Sequence, residues 1–183
     1  QFLHATGWQL AMPSNAEDAV GLLRTALRGN DPVIFFEHRS LLDGAGARRP
    51  YPGDEFMLPF GVARCLRAGT ELTVVSWGAM VERCELAATE SGIDVELLSP
   101  WDREAVLASV AKTRRCLVVH EDNLTAGFGA EIAAVLAERA FFNLDAPIER
   151  LAMPDVPSPH SPELLEAVVP SIPGIVAAIR RIA

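Results

Sequence analysis

Residues 117–131 read LVVHEDNLTAGFGAE, an apolar run that ends in His120, Glu121 and Asp122 and then passes two glycines into a helical pattern. An imidazole followed by two carboxylates could move a proton or contact a substrate. The end of a strand is where an open α/β sheet presents such groups. Spacing tests the more familiar sites. A zinc site of the HExxH type needs a second histidine at position 124, where Leu124 stands. GFGAE resembles part of a dinucleotide fingerprint, but Ile132 replaces the third glycine that close helix packing requires, so nicotinamide binding is not indicated. Ser76 in VVSWGAM would need glycine at position 74 to form a nucleophile elbow, and Val74 is there. Ser76 is expected instead to cap the next helix or bond the turn. Gly127 and Gly129 are expected to permit a tight strand-to-helix turn, whose helix N-terminus could attract an anion. His4, His38 and His160 have no triad partners nearby and read as surface or hydrogen-bonded histidines. Cys65, Cys84 and Cys116 form no CxxC pair and are expected to be buried thiols, neither disulfides nor zinc ligands.

The elements that must position these groups follow from periodicity. Val118 and Val119 sit in a short apolar run typical of a strand buried on both faces, and Ile132, Val135, Leu136 and Ala140 recur at helical spacing after it. Similar units give strands over 72–76, 95–98, 116–120 and 148–153, with helices over 79–90, 103–111 and 130–142 between them. That alternation predicts a mainly parallel sheet with right-handed βαβ crossovers. Upstream, residues 8–12 read as a strand. Ser14 with Glu17 makes a capping box for a helix that ends near Gly29 and has Val20, Leu23, Ala26 and Leu27 on its apolar face. A strand over 33–36 follows. Residues 38–59 are rich in Gly, Pro and Arg without periodicity and read as an interdomain linker between 1–37 and 60–183. Residues 154–162 hold four prolines and predict an extended surface arm, and helices over 163–168 and 172–182 close the chain.

Four segments read together carry a resemblance: residues 11–38 (AMPSNAEDAVGLLRTALRGNDPVIFFEH), 72–81 (LTVVSWGAMV), 117–131, and 143–159 (NLDAPIERLAMPDVPSP). In order and spacing they resemble the C-terminal half of the beta subunit of the thiamine-diphosphate-dependent decarboxylating component of 2-oxoacid dehydrogenase complexes, the pyruvate and branched-chain type. YPGDEFMLPFG at 51–61, preceded by Pro50, is similar to the form in which alpha and beta regions are fused. The resemblance implies the end of a pyrimidine-binding α/β domain followed by a transketolase C-terminal-like domain. The implied reaction is oxidative decarboxylation of a 2-oxoacid with acyl transfer to lipoyl. This segment's share would be assembly, a wall of the cofactor cleft and docking to the acyltransferase.

The same resemblance implies that no catalytic residue lies in this chain. The family's main catalytic histidine and its pyrimidine-side glutamate belong upstream of Gln1. The GDG signature that holds diphosphate and Mg²⁺ belongs to the alpha region. His120 and Glu121 are left as candidates for a channel or an interface. Ala26, Leu27 and Asp31 fall where the family binds a structural potassium ion through carbonyls at a helix end, with Gly29 replacing the usual aspartate. Implied partners are an alpha subunit or region, a second beta-like domain and the dihydrolipoyl acyltransferase core. VELLSPWD at 95–102 is shorter than in the family, which puts the local sheet edge in doubt. A transketolase or deoxyxylulose-phosphate synthase C-terminal domain is one alternative, to be favoured by a basic phosphate-binding cluster. A non-catalytic scaffold derived from this domain is another.

Composition narrows the partners. With 183 residues, half of them hydrophobic, the chain can bury a sizeable core. A formal charge of −8 and a pI near 5.0 disfavour nucleic acid, and the arginine pairs at 48–49, 114–115 and 180–181 form no stripe. No stretch reads as a membrane span or signal peptide, so a cytoplasmic location is expected.

Overall fold

A computed structural model describes residues 2–183 of the chain. Its centre is a five-stranded sheet in the order β3 (Arg64–Arg67), β5 (Val95–Ser99), β4 (Leu72–Ser76), β6 (Cys116–Asn123), β7 (Glu149–Met153). Helices α3 (Met80–Ser91), α4 (Arg103–Thr113) and α5 (Phe128–Arg139) make the three crossovers, and β4, β5, β6 and β7 run parallel. Every residue of β4 and β5 is buried, as expected of strands covered on both faces. One face packs α3 and the last helix, α7 (Ile172–Ile182), around Leu72, Leu97, Leu117, Ile175 and Ile179. The other packs α4 and α5 around Val75, Val106, Val118, Ile132 and Leu136. β3 was not predicted. It pairs antiparallel with β5, so the edge beyond the short VELLSPWD segment is covered rather than open. An exposed edge strand turns every other side chain outward, and Cys65 on β3 is accordingly exposed, unlike buried Cys84 and Cys116. Burial pushes the latter two thiols up to about 12, so both stay protonated and inert at neutral pH.

A polar ladder that periodicity does not predict joins the sheet to α4. Thr73 on β4 lies 2.6 Å from both Ser109 Oγ and Thr113 Oγ1 of α4, all three buried. Replacing Thr73 with valine keeps the shape but removes both buried bonds, leaving Thr113 Oγ1 its 3.1 Å bond to the Ser109 carbonyl. Its expected cost is about 1–2 kcal/mol, read from the urea midpoint.

Before the sheet comes a smaller unit. β1 (Gln9–Ala11) and β2 (Val33–Phe35) form a parallel pair joined by α1 (Ala16–Arg28). The cap of α1 is Asn15, not Ser14. The Asn15 side chain accepts from Asp18 N at 3.0 Å, and Ser14 instead donates its hydroxyl to Asp18. The expected apolar face is also turned. Leu23 and Leu27 are 45% and 78% exposed, whereas Gly21 is buried because Leu58 and Phe56 lie where a side chain would be, 2.7 and 2.8 Å from its would-be Cβ. Residues 51–58 are held there by Arg24, which bonds the Phe56 carbonyl at 3.1 Å and the Tyr51 hydroxyl at 2.6 Å. Thr25 Oγ1 bonds the Leu58 carbonyl at 2.6 Å. A short helix, α2 (Arg39–Asp43), also lies within the stretch read as linker.

Residues Pro162–Ile182 do have the length and apolar composition of a membrane-crossing helix, contrary to expectation. They fold as two helices, α6 (Pro162–Val168) and α7, because Pro170 lacks the N–H to continue the first. Ser171 caps the second through a 3.2 Å bond from Gly174 N. The apolar side of α7 is spent in the sheet core.

Candidate functional site

Three strand ends, β4, β5 and β6, open toward the β1–α1–β2 unit, and between them lies a cleft of about 620 Å³. Trp77, Trp101 and Phe128 supply its aromatic wall from the sheet side, and Leu10, Leu22 and Phe36 face them from the smaller unit. Its ionisable lining is Asp18, Arg64, Glu121 and Asp122. A mostly apolar concavity with a few polar groups at the carboxyl ends of parallel strands is the usual form of a ligand site or a domain junction.

The register of the sheet builds the wall. Ser76 on β4 pairs with Val119 on β6, so the next residues, Trp77 and His120, emerge side by side. Their rings stack with centroids 5.4 Å apart and planes 9° from parallel, and Phe128 meets Trp77 edge-on at 5.6 Å. Ser76 neither caps α3 nor closes the turn. It donates to the Val119 carbonyl at 3.0 Å and so locks the two strand ends together.

His120 is only 1% exposed, and neither ring nitrogen has a hydrogen-bond partner within the protein. It lies behind Trp77 and does not line the cleft. Its ring occupies the space that two glycines leave vacant. A Cβ on Gly129 would lie 2.3 Å from His120 Nε2, and one on Gly127 would lie 2.1 Å from the Asn123 carbonyl. The glycines are therefore required for room rather than for turn geometry. Gly127 has an ordinary φ of −65°, and the left-handed residue in this turn is Ala126, at φ 60°.

Burial holds the His120 imidazole below its ordinary value, outweighing the attraction of Asp122, and Arg150 pushes in the same direction as burial. The sign follows from linkage. The unfolded chain binds the proton more readily, so stability is complete above the unfolded value near 6.5 and declines as pH falls from there through the depressed folded value. His120→Gln is expected to flatten that decline, as read from urea midpoints across the acid range.

Glu121 does reach the cleft. Its Oε1 lies 2.7 Å from His38 Nε2, while His38 Nδ1 lies 2.8 Å from Ser40 Oγ. His38 is thus a hydrogen-bonded histidine, and its bond crosses from the smaller unit to the end of β6. Arg64 of β3 pairs with Asp18 of α1 and approaches Glu17 at 3.6 Å, a second bridge across the same junction. His160 is exposed in the proline arm, and the His4 side chain lies outside the described residues.

At the other end of α1, the Ala26 carbonyl accepts from Gly29 N at 3.2 Å, and Asp31 accepts from Gln9 Nε2 at 3.0 Å. Leu27 is exposed. A hard cation there would share the Ala26 oxygen with Gly29 and take Asp31 from Gln9. Among the described residues, no cluster of three or more His, Cys, Asp or Glu side chains is placed to hold a metal.

Sequence reasoning named His120 and Glu121 but missed Trp77, Trp101, Phe128 and the Asp18–Arg64 pair. The available signal was position: Trp77 and Trp101 each follow a predicted strand by one to three residues. Their convergence depends on strand order, which periodicity does not encode.

The family model described as "Transketolase, C-terminal domain" matches residues 61–175, and that described as "Transketolase, pyrimidine binding domain" matches residues 1–44. The chain is similar to 2-oxoisovalerate dehydrogenase subunit beta 2, mitochondrial, of Arabidopsis thaliana, with 40% identity over 166 residues, covering 86% of this chain and 46% of that subunit. It is also similar to 2-oxoisovalerate dehydrogenase subunit beta of Pseudomonas aeruginosa, with 36% identity over 200 residues, covering 99% of this chain and 57% of that one. The chain spans about half the length of these curated relatives. A solved structure described as "Split gene transketolase, inactive beta4 tetramer" aligns with a TM-score of 0.75 over 96% of this chain and 57% of that chain. At 22% identity the likeness is one of fold.

Proposed function

Because this chain belongs to the transketolase C-terminal domain family, we propose that it is the beta-type portion of a thiamine-diphosphate-dependent decarboxylating component of a 2-oxoacid dehydrogenase. The observation that carries this reading is the match of 86% and 99% of the chain to two 2-oxoisovalerate dehydrogenase beta subunits. The proposed reaction is oxidative decarboxylation of a 2-oxoacid with acyl transfer to lipoyl. In it, thiamine diphosphate supplies the carbanion chemistry.

The cleft of this chain does not fit the diphosphate. Three of its ionisable groups are carboxylates, and its arginine, Arg64, is committed to Asp18. A diphosphate needs unspent cations or a metal site. The same charge inventory weighs against the sugar-phosphate alternative. We therefore assign Mg²⁺ and diphosphate binding to the alpha partner, and to this chain the assembly of the cleft wall, pairing with a second beta-like domain and docking to the acyltransferase core. Potassium at the end of α1, a division into 1–37, 38–59 and 60–183, and a cytoplasmic location are further parts of the proposal.

The test is reconstitution. The chain alone is expected to give no heat on titration with thiamine diphosphate and Mg²⁺. Supplied with upstream beta sequence and an alpha subunit, it is expected to support 2-oxoacid-dependent reduction of ferricyanide. Turnover by the isolated chain, or an assembled complex inert toward both straight and branched 2-oxoacids, would overturn the proposal.

A further inference from the structure

The two bridges across the cleft differ in chemistry. Arg64 and Asp18 join α1 to β3, and His38 and Glu121 join the residue three beyond β2 to the carboxyl end of β6. Glu121 is itself a cleft-lining residue, so its bridge lies at the cleft's edge. Both side chains of that bridge are 24% exposed, buried enough for the pair to be felt and open enough for protons to reach it. Ser40 Oγ holds the imidazole by Nδ1 and presents Nε2 to Glu121.

We propose that the His38–Glu121 pair is a proton-controlled latch, which fastens the chain after β2 to the end of β6 and loosens that edge of the cleft when His38 loses its charge.

The charges around the pair leave His38 in sole control. On β6, Glu121 has Asp122 on one side and His120 on the other. Burial disfavours the charged form of His120, so it is a poor substitute cation for Glu121. From α3, Arg83 opposes the charge on His38, but it is itself bound to Glu166 at 2.6 Å and to the Pro170 carbonyl at 3.0 Å, which holds it toward α6. The bond to Glu121 outweighs both burial and Arg83, and the His38 imidazole sits above its ordinary value. A raised folded value means that the latch is fully formed below the unfolded value near 6.5 and is lost as pH rises through the folded value. The device therefore loosens as pH rises above the ordinary histidine value.

Amide hydrogen exchange of the intact chain reads the latch directly. Residues 36–43 and 120–124 would be followed at about pH 6 and about pH 8.5, with rates corrected for intrinsic base catalysis. Protection in both segments is expected to fall about fivefold at the higher pH, the size of a modest ion pair. His38→Gln should show the lower protection at both pH values, and His38→Arg, which cannot lose its charge, the higher protection at both. The histidine proton resonance of His38 should titrate above the ordinary value and drop in Glu121→Gln. Identical pH profiles in the wild type and His38→Gln, or wild-type protection that does not change between the two pH values, would overturn the latch.

Discussion

Asp18→Ala is expected to lower the unfolding free energy by about 3 kcal/mol, one of the two largest effects anticipated for single substitutions at the junction. The carboxylate is 7% exposed and serves four donors. Ser14 N and Asn15 Nδ2 each bond it at 3.2 Å, and the Ser14 hydroxyl and Arg64 guanidinium complete the set. Removing it leaves a guanidinium and several short polar groups facing a gap. Breaking a buried pair costs about 3–5 kcal/mol when the remaining charge is sealed from water. Arg64 is 31% exposed, so solvent recovers part of that cost, which places the expectation at the low end. Asp18→Asn, which keeps one acceptor oxygen, should cost about half as much. Arg64→Ala should be costly alone but nearly free in the Asp18→Ala background, because the two share one interaction. Urea midpoints for the four proteins decide it. A loss below about 1 kcal/mol for Asp18→Ala would mean that the pair behaves as an ordinary surface bridge.

Gly129→Ala is expected to cost about 3 kcal/mol, although alanine is the better helix former and the position lies in the first turn of α5. The new methyl would sit 2.3 Å from His120 Nε2, 2.6 Å from Cδ2 and 3.4 Å from Val118 Cγ1. The ring cannot retreat freely, because Trp77 is stacked on its face. Relief requires either the helix or the Trp77–His120 stack to move, and near-UV circular dichroism from Trp77 should change with stability. Two controls isolate the contact. Gly174→Ala in α7, whose methyl would approach nothing closer than Ser171 Oγ at 3.2 Å, should be neutral or slightly stabilising. Adding His120→Ala to Gly129→Ala should restore a good part of the lost stability, since the clash then has no partner. Failure of that rescue would locate the strain elsewhere in the turn.

The histidines beside these sites pull in opposite directions. His120 weakens the fold as acid charges it, and His38 loosens the cleft as base discharges it, so the junction is tightest near the ordinary histidine value. That balance is invisible in the sequence, where both residues are solitary histidines.

What the sequence determined by itself was the class of fold and the order of its parts. β4 and α7 were read with the bounds they have, and β5, α3, α4 and β7 to within a residue or two. Strands covered on both faces must be continuously apolar, and helices covered on one face must repeat every three to four residues. Both patterns are local and survive in the linear chain. The prediction failed where neighbours remote in sequence decide. β3 is short and half polar, and it is a strand only because β5 offers an unpaired edge. Leu23 and Leu27 read as core, yet Gly21 admits Leu58 and turns α1 the other way. His120 reads as a chemical group at a strand end and is instead a buried ring behind Trp77, while Glu121 beside it reaches the cleft. The tertiary structure alone could separate the two, because successive residues of a strand point to opposite faces, and only the strand order and register determine which face meets the other unit.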